Sequence, residues 1–224
     1  MSQKNTVLER EFSEKNVNDS YSKVVWFYDL WSRLTEAKAA RRALEWASIQ
    51  DGESILEVAV GTGILFANVV RRNPHGRNEG VDLSPAMLER AAKRLSAQPA
   101  ERYNLQEASA YALPYPDNTF DVLLNNYMLD LLPAADFVSV LSEFRRVVKP
   151  GGRVIISAFG FGDKPYHHLW FWLAKHFPAL LTECRPISLD ESLVSAGFQS
   201  VEAEQLSQNT FPSTVYRAVL PATD

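Results

Sequence analysis

A glycine-containing segment with an acidic residue near its start is the strongest chemical signal in the sequence. It reads EVAVGTG over residues 57–63 and lies between an apolar run, residues 54–60, and a helix-like stretch, residues 64–72. Glycines such as Gly61 and Gly63 let the backbone turn sharply and let a ligand approach without a Cβ in the way. In an open α/β sheet, ligands bind outside the carboxyl ends of the strands, where this segment falls. The segment therefore predicts a nucleotide-like ligand.

The residues around these glycines argue against two common phosphate sites. A dinucleotide fingerprint requires a small residue three positions after its second glycine, because helix and strand pack closely there. Phe66 stands at that position, and the segment lacks the lysine of a phosphate-binding loop. A nucleotide without a pyrophosphate fits better, and a nicotinamide-dependent oxidoreductase is disfavoured.

Polar residues also stand at the ends of the next predicted strands. Asp82 lies nineteen residues after Gly63, where a carboxylate can accept hydrogen bonds from both hydroxyls of a ribose. Leu83 follows it and would lie against an adenine face. Ser109-Ala110 follows the third predicted strand, and Asn125-Asn126-Tyr127 ends the fourth. These positions extend the candidate site along one edge of the sheet.

Short apolar runs alternate with longer amphipathic stretches along the chain. The predicted strands cover residues 54–60, 79–83, 103–108, 119–125, 153–159, 200–206 and 214–220. The predicted helices cover residues 64–72, 84–96, 134–148 and 189–196. This alternation is typical of βαβ units and a largely parallel sheet. Because no helix separates the last two strands, we expect them to form an antiparallel hairpin at one edge.

Four segments occur in an order and spacing typical of one enzyme family. They read EVAVGTG, GVDLSPAMLERA, ALPYPDNTFDVL and FRRVVKPGGRVIIS, and they span about residues 50–160. Together they resemble the class I S-adenosylmethionine-dependent methyltransferases, most closely the branch holding the ubiquinone and menaquinone methyltransferases. The resemblance implies a Rossmann-like, doubly wound, mostly parallel seven-stranded sheet with an antiparallel edge hairpin. Residues 1–50 would form an N-terminal helical cap, and residues 51–224 the methyltransferase domain, with an inserted aromatic helix near 164–181.

The same resemblance implies S-adenosyl-L-methionine as the cofactor and a role for each matching residue. Glu57 and Asn126 would lie at its methionine end, Asp82 would hold its ribose, and Tyr28 would close the site from above. The cofactor-binding residues implied in this way are Tyr28, Glu57, Ala59, Gly61, Gly63, Asp82, Leu83, Ser109, Ala110 and Asn126.

Two of these positions depart from the family pattern. Ala59 replaces the first glycine of the loop, and Ser109 stands where the family often has aspartate. A hydrogen bond to a charged group is worth about 1.5–3 kcal/mol against about 1 kcal/mol for a neutral one, so the second departure is expected to matter more.

Methyl transfer from a sulfonium depends mostly on positioning and on exclusion of water. A general base is needed only where the acceptor must lose a proton to become nucleophilic. The candidates are Tyr127 and Asp130 after the fourth predicted strand, and His167 and His168 after the fifth. Leu131 stands where many relatives of this family have histidine.

Two aromatic segments bear on the acceptor. One covers residues 166–181, and the other covers residues 17–34 before the sheet. The first is a helix of the core, a lid over an apolar acceptor or an interfacial helix touching a membrane. If the two segments meet over the strand ends, they form a water-poor pocket. We therefore predict methyl transfer to a small apolar or lipid-like acceptor; the alternative is a non-catalytic binder of the cofactor that serves as a sensor or partner subunit.

Composition excludes several other classes. The chain has 224 residues, of which 46% are hydrophobic, and a net charge of −4, which argues against coating nucleic acid. Cys184 is the single cysteine, so neither an internal disulfide nor a multi-cysteine zinc site is expected, and a reducing compartment fits. No ligand spacing for a metal is found in the sequence. We expect a cytoplasmic protein, and the sequence does not determine its oligomeric state.

Overall fold

Two consecutive helices precede the sheet in the computed structural model, which describes residues 29–177, 181 and 184–222. Helix α1 is described over residues 29–35, and α2 is Ala37–Ala47. Tyr28, predicted to close the site, lies outside the described residues. The buried residues of α2 follow a helical period and are Ala39, Ala43, Leu44 and Ala47. Small side chains on that face let the helix approach the sheet closely.

In the described part of the chain, seven strands form one sheet in the order β3-β2-β1-β4-β5-β7-β6. The strands are β1 Ser54–Val58, β2 Arg77–Asp82, β3 Asn104–Glu107, β4 Phe120–Asn126, β5 Val148–Phe159, β6 Gln199–Gln208 and β7 Phe211–Val219. The first five strands pair in parallel, and β7 pairs antiparallel with both β5 and β6. The predicted fold class and edge hairpin are confirmed.

Helices cover both faces of the sheet. The remaining ones are α3 Ile64–Arg72, α4 Pro85–Leu95, α5 Phe137–Val147, α6 His167–His176 and α7 Asp190–Ser195. Buried residues of α2, α3 and α4 pack in one apolar cluster, and those of α5 and α7 in a second. The central strands supply residues to both clusters, which explains their continuous apolar sequence.

The largest difference from the prediction lies at the start of β5. The sequence predicts a turn at Pro150-Gly151-Gly152 and a strand from Arg153, whereas β5 begins at Val148. Val148 pairs with Phe120, and the register shifts before the next pair, Val122 with Arg153. The turn residues therefore form an irregular part of the strand, with Gly151 at φ +78°.

Phe66 is accommodated by a glycine in the neighbouring strand. The ring is fully buried in α3, and a Cβ built on Gly80 of β2 would lie 3.0 Å from its Cε1 atom. That distance is shorter than an ordinary van der Waals contact, so Gly80 leaves the room that the ring fills. The close helix–strand approach that a small residue provides in dinucleotide folds is thus achieved here from the strand side.

The parallel register brings the predicted site residues to one edge of the sheet. Val58 lies opposite both Val81 and Asn125, so the segments after β1, β2 and β4 emerge side by side. None of the helices in the described part of the chain has the length and hydrophobicity needed to span a bilayer.

Candidate active site

The bend after β1 depends on three residues in the left-handed region. Gly61 and Gly63 have φ values of +53° and +78°, and Ala59 has φ +61°. A Cβ on Gly63 would lie 3.0 Å from Ala91, whereas a Cβ on Gly61 would meet nothing within 4 Å. Gly61 therefore leaves space at the bend, and Gly63 lets α3 begin close to α4.

Asp82 holds this bend through backbone hydrogen bonds. Its Oδ2 accepts from the Gly61 amide at 2.8 Å, and its Oδ1 accepts from the Ser84 amide at 2.9 Å. Burial raises the pKa of Asp82, and these amides oppose the rise. The carboxylate predicted at the end of the second strand thus lies beside the glycines, as the sequence analysis expected. It connects the bend to the start of α4.

Two other polar side chains at this edge carry unsatisfied atoms. Within the described residues, Oε2 of Glu57 and both amide atoms of Asn126 have no hydrogen-bond partner, although these atoms are buried. Burial, together with the charge of Asp82, raises the pKa of Glu57 well above its ordinary value. Unpaired buried polar atoms are costly, so a polar ligand that contacts them would gain binding energy.

Glu57 and Asn126 line a cavity whose wall also includes residues of α1 and α2. Its volume is about 50 Å³, and its wall includes Ser32, Glu36, Ala40, Glu57, Ala59, Gly61, Asn126 and Tyr127. Ligand sites usually measure roughly 300–1,000 Å³, so this cavity is smaller than a usual ligand site. Glu36 was not among the predicted site residues. The available signal was its helical spacing, three residues before the buried Ala39 and directly before the start of α2.

Polar contacts hold α1 against the rest of the chain at both of its described ends. At its start, Asp29 accepts hydrogen bonds from Thr62 Oγ1 at 2.7 Å and from Arg94 Nη2 at 2.5 Å. Near its end, Nε2 of Gln208, the last residue of β6, donates to the carbonyl oxygen of Arg33. Thr62 stands between the two glycines of the bend, so α1 is connected to that loop.

An aromatic cluster adjoins the cavity on the side of β4, β5 and β7. Phe211 is its centre, with ring centroids at 4.8 Å from Phe159, 5.2 Å from Trp170, 6.0 Å from Trp31 and 6.5 Å from Tyr127. Trp31 of α1 also meets Trp170 of α6 edge to face at 6.2 Å. The two aromatic segments therefore do meet over the strand ends.

Helix α6 has a packed side and an exposed side. Ala174 is fully buried and Trp170 is partly buried, whereas Leu169 is 58% exposed and Trp172 is 48% exposed. One side of α6 therefore packs on the core and the other is exposed. The assignment of α6 as a core helix, a lid or an interfacial helix stays a prediction.

Two of the predicted catalytic candidates lie at or beside the cavity. Tyr127 lines it, and its hydroxyl group hydrogen-bonds Ser213 Oγ at 2.7 Å. Asp130 is fully buried, and its Oδ2 accepts from the Phe159 amide at 2.9 Å. Burial raises the pKa of Asp130 to about 7, while that amide and the Arg185 guanidinium oppose the rise.

The two histidines do not line the cavity. His167 is buried at the start of α6, where its Nδ1 accepts from the Lys164 amide and its Nε2 lies 3.2 Å from Ser207 Oγ. His168 is exposed. A catalytic role for either stays a prediction that the geometry does not favour.

Three residues predicted at the adenine end lie beside the site rather than in the cavity wall. Leu83 is half-buried directly after Asp82. Ser109 forms an isolated bridge with Ala112, and Ala110 packs against the apolar cluster under α5. Their contact with an adenine also stays a prediction.

Comparisons with known proteins show the family of the chain. A family described as "Methyltransferase domain" matches residues 55–152. The chain is 30% identical over 189 residues to a demethylmenaquinone methyltransferase of Halalkalibacterium halodurans, covering 81% of this chain and 76% of the relative. It is 35% identical to the enzyme of that name from Symbiobacterium thermophilum, covering 65% of this chain and 59% of the relative.

A solved structure shares the fold of the chain. The (4+2)-cyclase SpnF superposes with a TM-score of 0.75 at 18% identity, covering 96% of this chain and 99% of that one. At that identity the likeness concerns the fold alone. From the sequence relatives, the chain belongs to the class I S-adenosylmethionine-dependent methyltransferases, in the branch of the ubiquinone and menaquinone enzymes. It is an enzyme, and its cofactor is S-adenosyl-L-methionine.

Proposed function

We propose that this methyltransferase acts on a small, apolar, ring-containing acceptor of the prenylated quinol type, received at the aromatic cluster around Phe211. The observation that carries the proposal is the position of that cluster, which adjoins the cavity through Tyr127. The relatives named above, which act in menaquinone formation according to their names, support the same class of acceptor.

The cofactor-binding roles follow from the polar atoms at the strand ends. Glu57, with one unbonded carboxylate oxygen, suits the ammonium group of the methionine end, and Asn126 suits its carboxylate. Asp82 would bind the ribose hydroxyls while keeping its bond to the Gly61 amide. Because a Cβ on Gly61 would meet nothing within 4 Å, the cofactor would have room to approach the backbone there. Leu83, Ser109 and Ala110 would then follow along the adenine.

The chemistry required of the chain is modest. The bound cofactor supplies a methyl group on a positively charged sulfur, which departs as a neutral thioether. The residues of the site hold the two reactants in line and keep water out, effects that can lower the barrier by about 7–11 kcal/mol. Helix α1, held by Asp29 to Thr62 and Arg94, would provide the closure.

The aromatic cluster favours an apolar acceptor over a charged one. Phe159 and Phe211 are buried, and Trp31 and Trp170 cover them from α1 and α6. A flat ring can replace the edge-to-face contacts among these side chains, and a ring pair of this kind is worth about 0.5–1.5 kcal/mol beyond its buried area. Opening α1 would expose the same surface to an incoming lipid.

The test uses cofactor labelled in its methyl group. The enzyme is incubated under reducing, oxygen-free conditions with a detergent-dispersed prenylated 1,4-naphthoquinol, and in parallel with phosphoethanolamine as a polar acceptor. We expect label in the organic extract of the first reaction only. Label in phosphoethanolamine but not in the quinol would refute the apolar acceptor.

A further inference from the structure

Glu36 is a buried carboxyl group at the junction of α1 and α2. Its residue is only 6% exposed, and it lines the cavity together with Glu57, Asn126 and Tyr127. The side chains of Ser32 and Trp31 donate hydrogen bonds to it. None of the roles assigned above uses this group, although it faces the space where the two reactants would meet.

Burial of Glu36 favours its protonated form in the ligand-free protein. In the described residues, three titratable groups face Glu36, namely Glu57 of β1, Tyr127 after β4 and Asp130. The Arg185 guanidinium favours the charged form of Asp130, and Cys184 lies beside Tyr127. Burial raises the pKa of Glu36 to about 8, the Ser32 hydrogen bond opposes the rise, and the charge of Asp130 adds to it. The group therefore carries a proton at neutral pH.

The other candidates for handling a proton are more constrained. Asp130 is bonded to the Phe159 amide and lies against the Arg185 guanidinium. Tyr127 is committed to Ser213, and burial raises its pKa well above the ordinary value. Glu57 is assigned to the ammonium group of the cofactor. Glu36 is the remaining carboxyl group among the described residues of the cavity wall, and its hydrogen bonds come from the neutral side chains of Ser32 and Trp31 rather than from a charged group.

We infer that Glu36 is the general base of the reaction, which receives the proton that the methylated atom of the acceptor gives up. This inference rests on the proposed function. In the transfer, an electron pair of the acceptor forms the bond to the methyl carbon, and the carbon–sulfur bond breaks with its pair going to sulfur. The proton of the acceptor passes to a carboxylate oxygen of Glu36, so charge and atoms balance.

The inference requires that Glu36 be ionised before the transfer. A positive charge within about 4–6 Å favours the charged form of a carboxyl group. The sulfonium of S-adenosylmethionine carries such a charge, whereas S-adenosylhomocysteine, which is otherwise the same without the methyl group, does not. Binding of S-adenosylmethionine should therefore release a proton from Glu36 that binding of S-adenosylhomocysteine does not.

Titration calorimetry in buffers of different ionisation enthalpy measures this release. The two ligands are compared at pH 7 for the wild type, Glu36→Gln and Glu45→Gln. For the wild type we expect S-adenosylmethionine to release roughly half to one proton more than S-adenosylhomocysteine. The difference should vanish in Glu36→Gln and persist in Glu45→Gln, the matched change of an exposed carboxyl group on α2.

A milder variant serves if Glu36→Gln does not fold, which thermal melting reveals. Ser32→Ala removes a hydrogen bond that lowers the pKa of Glu36, so the pH midpoint of the proton release should move upward. Any of four results would overturn the inference. They are no difference between the ligands in the wild type, an unchanged difference in Glu36→Gln, loss of the difference in Glu45→Gln, and an unmoved midpoint in Ser32→Ala.

The quinol reaction gives a second readout. In Glu36→Gln we expect kcat to fall by about 100-fold or more and the acid limb of its pH profile to disappear, with cofactor affinity changed less than about threefold. A normal kcat and pH profile would contradict the inference. If the calorimetric pattern holds but the quinol is not methylated, only the proposed acceptor fails, because the calorimetry needs no acceptor.

Discussion

The half of the site around Asp82 and the half around Phe211 are built differently. In the first, Gly61 and Asp82 are 21 residues apart in sequence and are joined by a backbone hydrogen bond of fixed direction. In the second, rings from α1, β4, β5, α6 and β7 pack without directional bonds. Directional bonds select one ligand, whereas ring packing adapts to differences of shape. The contrast fits the proposed division of the site into a cofactor half and an acceptor half.

The largest expected effect concerns the half of the site around Asp82. Asp82→Ala should weaken binding of S-adenosylhomocysteine by about 100-fold or more, because two hydrogen bonds to a charged group are worth about 3 kcal/mol together. It would also release the Gly61 amide and loosen the bend. Titration calorimetry measures the affinity, and circular dichroism checks the fold. Glu107→Ala, which changes the exposed carboxylate opposite Asp82 in register, is the control. Unchanged affinity in Asp82→Ala would remove the ribose assignment.

The next largest effect concerns the half of the site around Phe211. Trp170→Ala removes contacts with Trp31 and Phe211 and should lower kcat/KM for the quinol by about 10-fold, with cofactor affinity retained within about twofold. Trp172→Ala, two residues along the same helix on its exposed side, should change kcat/KM by less than about twofold. Equal losses of turnover and cofactor binding in Trp170→Ala would mean that this ring supports the core instead of the acceptor.

A smaller effect is expected where α1 connects the two halves. Asp29→Asn weakens the contacts to Thr62 and Arg94, and because the pair is partly exposed the loss is about 1 kcal/mol. Dissociation of the bound cofactor should become about fivefold faster in stopped-flow measurements. Lys93→Met, which removes an exposed ion pair with Glu89 on the neighbouring helix α4, is the control. An unaltered dissociation rate would show that α1 does not retain the cofactor.

The smallest effect sharpens the account of the bend itself. Ala59 adopts φ +61°, a conformation that costs a residue with a Cβ about 1–2 kcal/mol. Ala59→Gly removes that cost, but the greater freedom of glycine in the unfolded chain lowers the stability of the folded protein by about 0.5–1 kcal/mol. We expect a net stabilisation of about 0.5–1 kcal/mol, seen as a rise of roughly 1–4 °C in melting temperature. Ala92→Gly on the exposed face of α4 should instead lower it. A lower melting temperature in Ala59→Gly would mean that Ala59 is not strained.

Local patterns predicted most of the sheet and of the cofactor half. The bounds of α3 agree with the prediction at both ends, since its apolar spacing and the glycines before it are features of adjacent residues. The irregular start of β5 was missed because a proline and two glycines normally end a strand, and pairing with Phe120 overrides that preference. Glu36 was missed because its burial depends on where α2 packs.

The amino-acid sequence alone determined three features, because each depends on residue types at short, regular spacing. They are the order of strands and helices along the chain, the bend at Gly61 and Gly63, and the carboxylate at Asp82. The packing of chain segments decided the rest: the meeting of Trp31, Trp170 and Phe211, the narrowing of the cavity by α1, and the burial of Glu36. Contacts between residues so far apart depend on how whole helices dock on the sheet, and no local pattern specifies that docking.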